Sequence, residues 1–171
     1  AQRVDQAIAK VLTRQDSNGA FGLWQPESGD GWLDAYVTDF LSRARAAGHE
    51  VPDRAFRSAL DNLKNQVNYA ADFDANSNGG GTALAYQLMV LAREGAAAVG
   101  DLRYYADTKG GDFGSPLAVA QLGAALASYG DQTRADALFA RAAAMLPAVD
   151  APEGQVYRAD YGTNLRDRAG V

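Results

Sequence analysis

Gln15–Leu41 reads QDSNGAFGLWQPESGDGWLDAYVTDFL, and its interpretation decides the fold. It is a glycine-rich loop with two aromatics that look exposed, running straight into an amphipathic helix. From Trp32 the apolar residues are Trp32, Leu33, Tyr36, Val37, Phe40, Leu41 and Ala44, one broad helical stripe. Asp34, Thr38, Asp39, Ser42, Arg43 and Arg45 take the other face. Asp30 precedes the first turn and can accept from its free N–H groups. Gly48 lies just past the last turn, where a left-handed residue commonly closes a helix.

Working backward, Val4, Ala7, Ile8, Val11 and Leu12 predict a helix over residues 1–15. Forward, Pro52 suits a first helical turn, and Ala55, Phe56, Ala59, Leu60, Leu63 and Val67 continue a helix over 53–67. A second long loop, NYAADFDANSNGGG, follows, with Thr82 as the expected cap of a helix over 82–95. One or two helical turns are expected around Leu102, Tyr104 and Tyr105. Ser115-Pro116 marks the start of a helix over 116–129, apolar nearly all round and therefore buried on most sides. Asp131 is the expected cap of a helix running to Leu146 and Pro147. A last loop leads to Thr163, the expected cap of a helix cut off at Val171. The chain thus reads as a piece excised from a longer protein.

Aromatic-glycine pairs recur at the loop-to-helix junctions: Phe21-Gly22, Phe113-Gly114 and Tyr161-Gly162. Asp112-Phe113-Gly114-Ser115-Pro116-Leu117 and Asp160-Tyr161-Gly162-Thr163-Asn164-Leu165 are matching strings 48 residues apart, and Phe21 and Phe113 are 92 apart, about two such steps. At the second loop Gly81-Thr82 stands in. Such a period, with two helices per step, indicates stacked helical hairpins. Long loops precede helices 32–47, 82–95, 115–129 and the one at Thr163; short connectors follow the first three. The expected class is all-α: an α/α toroid or an arc of one, a partial ring of about seven helices. Helix 115–129 would lie in the inner layer, and 1–15, 53–67 and 131–146 in the outer. A solenoid is the alternative geometry.

Composition narrows the chemistry. Of 171 residues, 47% are hydrophobic, largely Ala, Leu and Val, which favours helix. The net charge of −5, without a basic cluster, argues against nucleic acid as a partner. There is no cysteine, hence no thiolate and no Cys-based zinc site. No apolar run approaches the ~20 residues of a membrane span.

Several residues offer chemistry. His49, the one histidine, reads as a solvated connector residue without a second His or Cys to share a metal. Asp72, Asp74, Asn76 and Asn78 have the spacing of calcium ligands, but Ser77 and Ala83 stand where that loop needs Gly and Glu, so Asx turns are the plainer account. Asp30, Asp34, Asp72, Asp74, Asp112 and Asp160 could supply the paired carboxylates of a glycosidase; capping and repetition favour structural roles. Arg166, beside Asp167, is expected to tie Asp160 or a loop carbonyl. Trp24 and Trp32 read as plugs fastening the loop rather than a sugar-stacking platform.

Gln15-Asp16-Ser17-Asn18-Gly19-Ala20-Phe21-Gly22-Leu23-Trp24, Trp32 through Leu41, Ala44 through Gly48 and Val51-Pro52 together resemble the thioester domain of the α2-macroglobulin and complement family, its bacterial branch above all. Tyr157 through Asp167 resembles the same branch, with Thr163 where that branch favours Ser. The resemblance extends over essentially the whole chain, 1–171, as a single domain, a fragment of a thioester domain. It implies an α/α toroid of helical hairpins and a role in trapping proteases after bait cleavage. It also implies contacts with neighbouring domains of the parent chain and with target proteases, and a periplasmic or extracellular location anchored to a membrane through a distant N-terminal segment. The family's reactive thioester joins a Cys and a Gln in a Cys-x-Glu-Gln string upstream of the matching region, so no residue here is that nucleophile. No catalytic residue, cofactor or metal ligand is therefore expected, and the truncated edge is expected to self-associate. Gln15 to Trp24 also resembles the Gln-Trp repeats of terpene cyclases, whose DxDD and DDxxD strings do not occur. The alternatives to a non-catalytic protease-inhibitor scaffold are thus a toroid polysaccharide hydrolase and a terpene-cyclase-like domain.

Overall fold

The computed structural model describes residues 2–27, 29–146 and 160–171. Among them lie eight α-helices: α1 (Gln2–Leu12), α2 (Gly31–Ala46), α3 (Asp53–Asn68), α4 (Thr82–Arg93), α5 (Val99–Thr108), α6 (Pro116–Ser128), α7 (Gln132–Met145) and α8 (Asn164–Gly170). A 3-10 turn, Asn78–Gly81, leads into α4. No strand occurs among the described residues; two isolated bridges, Gln15 with Phe21 and Asp74 with Ser77, pinch the first two long loops. Pro147 and Tyr157 to Ala159, which entered the sequence reading, lie outside the described residues. The chain forms two compact units, Ala1–Tyr69 and Ala70–Val171.

In the first unit α2 packs on α3 and on α1. The core is Ile8, Phe21, Val37, Leu41, Ala44, Val51, Phe56 and Ala59, so Phe21 is the aromatic that closes the loop over the helices. Helix α1 stops at Leu12 rather than residue 15. The N–H groups of Arg14 and Gln15 reach back to the carbonyls of Val11 and Leu12 (2.9 and 3.3 Å), which tightens the last turn and sends the chain into the loop.

In the second unit α6 is central, packing against α4, α5, α7 and α8. Its buried residues include Ala118, Val119, Ala120, Leu122, Ala125 and Leu126, as its all-round apolar sequence requires. Gly123 lets α7 come close: a Cβ there would lie 3.1 Å from the Phe139 ring. The loops before α4 and α6 meet at one end of this unit, where Gly114 N–H donates to the Gly80 carbonyl (3.0 Å). The two loops share an aromatic plug, with the Phe73 and Phe113 ring centroids 4.9 Å apart. Phe73 therefore serves the second junction, which had seemed to lack an aromatic hinge. Helix α5 spans ten residues, longer than the one or two turns expected, because Leu102 is fully buried and Tyr105 rests near Phe73 and Phe113.

The capping residues sort into two kinds. Asp30, Ser115 and Thr163 accept from the N–H groups of Leu33, Ala118 and Arg166 at 3.0, 3.2 and 3.1 Å, as N-caps should. Thr82 is instead the first helical residue; the cap is Gly81 in the left-handed conformation, and the Thr82 hydroxyl donates to the Gly79 carbonyl at 2.9 Å. Asp131 stands at the cap position without a side-chain cap bond. Its carboxylate is drawn to Arg103 and Arg134, at 2.9 and 3.2 Å.

Candidate functional site at the long-loop junctions

The first glycine loop is fastened at three points. The Gln15 side-chain amide donates to the Ala55 carbonyl of α3 (2.9 Å). Asp16 Oδ1 accepts from Asn18 and Ala20 N–H (2.8 and 3.0 Å), folding the loop on itself. Phe21 N–H donates to Asp34 Oδ1 at 2.6 Å. Asp34 Oδ2 in turn accepts from the Asn62 and Gln66 amides of α3 (3.0 and 2.6 Å). One carboxylate thus joins the loop, α2 and α3. Burial pushes the Asp34 carboxyl above the ordinary carboxylate range, against the opposing pull of the Phe21, Gln66 and Asn62 hydrogen bonds.

This corrects the facing of α2. Asp34, placed by the sequence on the outer face, is 1% exposed, and Thr38, Asp39 and Ser42 are buried with it. Tyr36, on the apolar stripe, is 53% exposed. The sequence does carry a signal for this: Asp167 stands four residues after its cap Thr163, as Asp34 stands after Asp30, and Asp167 is also buried.

The remaining acidic candidates are spread over separate structural tasks. Asp72 pairs with Lys109 Nζ (2.6 Å), which holds its carboxyl below the ordinary range, and Lys109 also meets Asp112 at 3.2 Å. Asp74 and Ser77 build an Asx-type turn in which Asp74 Oδ1 accepts from Asn76 N–H (2.7 Å) and Ser77 Oγ from Asp74 N–H (3.0 Å). The Asn78 amide donates to the Asp72 carbonyl at 2.5 Å. The four residues with calcium-ligand spacing are therefore turned into loop bonds, and no cluster of three acidic or His side chains that could hold a metal ion occurs among the described residues. Arg166 makes the expected tie, donating to both the carboxylate and the carbonyl of Asp160. His49 is not a solvated residue: its Nδ1 lies 2.7 Å from Asp5 Oδ1, and the side chain is largely covered. Trp24 departs from the plug reading. Trp24 is 86% exposed, while Trp32 stacks on Tyr36 with centroids 5.4 Å apart. Phe21 and Phe113 are the plugs, and Tyr161, the third aromatic of the repeat, is half exposed.

The described residues are all-helical, in keeping with the α/α toroid-like class, and the recurring loop residues fasten loops to helix ends. No family model matches the chain. The α2-macroglobulin of Escherichia coli strain K12 is 35% identical to it over 97% of its length. The native conformation of the E. coli protein superposes with a TM-score of 0.84 at 33% identity, over 98% of this chain and 11% of that one. The E. coli protein activated by porcine elastase gives a TM-score of 0.84 at 33% identity, over 98% of this chain and 15% of that one. The chain is homologous to the bacterial α2-macroglobulins, and it spans about a tenth of the length of the curated relatives it matches.

Proposed function

We propose that this chain is a non-catalytic helical scaffold within the thioester domain of a bacterial α2-macroglobulin-like protease trap. The observation that carries the reading is the even match, a TM-score of 0.84 in each case, to the native and the elastase-activated E. coli protein. A segment that resembles both forms equally is suited to keep its fold while its surroundings rearrange. Its loops, pinned to helix ends, are suited to carry contacts with neighbouring domains of the parent. The chain has no cysteine, so a thioester thiol is not among its residues. The target proteases are partners of the intact protein, and its place is the periplasm or the extracellular side, anchored by a distant segment. No helix among the described residues is long and apolar enough to cross a membrane. Against a polysaccharide hydrolase, Asp30, Asp34, Asp72, Asp74, Asp112 and Asp160 each have a structural partner. Against a terpene cyclase, the acid-rich strings are missing.

The test is a chimera in which this chain replaces the matching segment of the E. coli protein. Porcine elastase is added, and its digestion of a large protein substrate is followed beside that of a small peptide. Loss of the large-substrate activity with the small-substrate activity retained is the expected result. A chimera that melts cooperatively yet leaves both activities of elastase untouched overturns the proposal.

A further inference from the structure

The chain holds two Asn-Gly pairs, Asn18-Gly19 in the first long loop and Asn78-Gly79 in the second. Such a pair carries its own nucleophile, because glycine has no side chain to shield its amide nitrogen from the preceding carboxamide. The fold treats the two pairs in opposite ways. Asn18 N–H donates to Asp16 Oδ1 (2.8 Å), Gly19 N–H to the Asp16 carbonyl (3.2 Å), and the Gly19 carbonyl accepts from the Gln15 amide (3.3 Å). Gly19 is also wedged on α3, where an added Cβ would lie 2.1 Å from the Ser58 carbonyl oxygen. Its nitrogen is engaged and its peptide has no room to turn. Asn78 and Gly79 are instead exposed, at the head of a left-handed turn. Asn78, Gly79, Gly80 and Gly81 have φ of +48°, +68°, +60° and +66°, a conformation that asparagine and glycine take at least cost. Among the described residues no group accepts from Gly79 N–H. The Asn78 amide donates to the Asp72 carbonyl (2.5 Å).

We propose that Asn78 is a self-modification site, deamidating in the folded chain and loosening the second loop junction, while the fold protects Asn18. Hydroxide takes the Gly79 N–H proton, and the nitrogen attacks Asn78 Cγ. The Cγ–Nδ2 bond breaks, and Nδ2 takes a proton from water and leaves as ammonia. Water then opens the cyclic imide at Cγ, giving aspartate, or at the main-chain carbonyl, giving isoaspartate. One water enters and one ammonia leaves, with nothing oxidised or reduced. Either product loses the donor to the Asp72 carbonyl and sets a new carboxylate beside Asp72. Isoaspartate also lengthens the backbone ahead of Gly80 and Gly81. Gly81 has no slack to absorb this: a Cβ there would lie 2.4 Å from the Phe73 ring and 2.9 Å from the Phe113 ring. The bond from Gly114 N–H to the Gly80 carbonyl is therefore the one that weakens. This inference concerns the chain itself and stands apart from the function proposed above.

The experiment incubates the 171-residue chain at mildly alkaline pH, folded and in urea, and follows Asn18 and Asn78 by peptide mapping with mass spectrometry. In urea the two pairs are expected to react at similar rates. In the folded chain Asn78 is expected to outpace Asn18 by about tenfold or more, because the Asn18 loop must open before it reacts. The converted peptide is expected as an aspartate and isoaspartate pair. Asn78→Gln is expected to abolish that product and leave the Asn18 rate unchanged. In the aged chain the Gly114 amide is expected to exchange faster than in the fresh one. Equal rates at Asn18 and Asn78 in the folded chain, or a faster Asn18, overturn the proposal. A Gly114 amide equally protected before and after conversion overturns the loosening of the junction.

Discussion

Gly19 and Gly48 make a matched pair. Both lie in the first unit and both have positive φ, +92° and +86°. A Cβ on Gly48 would meet nothing within 4 Å. A Cβ on Gly19 would lie 2.1 Å from the Ser58 carbonyl oxygen and 3.0 Å from Ala59 N, both backbone atoms inside α3 that cannot swing away. Gly48→Ala should cost only the left-handed strain of an L residue, about 1–2 kcal/mol. Gly19→Ala carries the same strain and must also lift the loop off α3. That movement breaks the Gln15–Ala55 bond, worth about 1 kcal/mol, and the Phe21 bond to the buried carboxylate, worth about 1.5–3 kcal/mol. The total is about 3.5–6 kcal/mol, about 2.5–4 kcal/mol beyond Gly48→Ala. Both tryptophans, Trp24 and Trp32, belong to the first unit, so urea unfolding followed by tryptophan fluorescence reads that unit directly. Equal losses of stability for the two variants would refute the claim that the loop is clamped against α3.

Three further outcomes are expected. Phe113→Ala removes a ring that is 1% exposed and packed on Phe73 and Gly81; calorimetry of the chain should show a loss of about 3–5 kcal/mol. Ser115→Ala deletes the α6 cap, whose hydroxyl accepts from Ala118 N–H at 3.2 Å, and should cost about 1 kcal/mol in urea unfolding. Asp34 is pushed above its ordinary value of 3.8 in the folded chain, so its ionised form weakens the fold above the folded midpoint, and the penalty vanishes below the unfolded one. Wild type should therefore gain stability relative to Asp34→Asn as pH falls through the folded midpoint toward 3.8. A gap that is flat or moves the other way in pH-dependent melts would contradict the burial argument.

The helices were legible because their signals are local. Ser115-Pro116 and Thr163 start helices as their chemistry requires, and α6 is buried on most sides as its composition demands. The aromatic plugs Phe21 and Phe113 were legible as a repeat, although their partners were not. Phe73 stands eight residues before Gly81 rather than beside it as Phe113 stands beside Gly114, and the folding of the loop brings the two together, which no dipeptide pattern encodes. Trp24 looked like a plug because large apolar rings usually seek cover, yet the loop turns at Phe21 and leaves Trp24 outside. Asp131 looked like a cap because its type and position are right. Two guanidinium groups from α5 and α7 compete for the same oxygens, and tertiary charge prevails over the local motif.

The facing of α2 shows where amphipathicity stops working. A helical stripe finds the core only if the opposite face meets water. In α2 the flank carrying Asp34, Thr38, Asp39 and Ser42 is covered, while Tyr36 and Arg43 face outward, so those polar residues need partners rather than solvent. Thr38 donates to the Asp34 carbonyl at 2.7 Å, a back-bond that satisfies its hydroxyl within the helix. Asp39 reaches Arg43, one turn on, at 3.0 Å. Asp34 has no such local partner and looks outward to Phe21, Asn62 and Gln66. The covered flank of α2 thus holds a polar residue satisfied within its own turn, Thr38, and one satisfied by other segments, Asp34. Only the second kind can fasten a loop. Asp167, buried at the same offset from its cap in α8, is the position where the same division would next be sought.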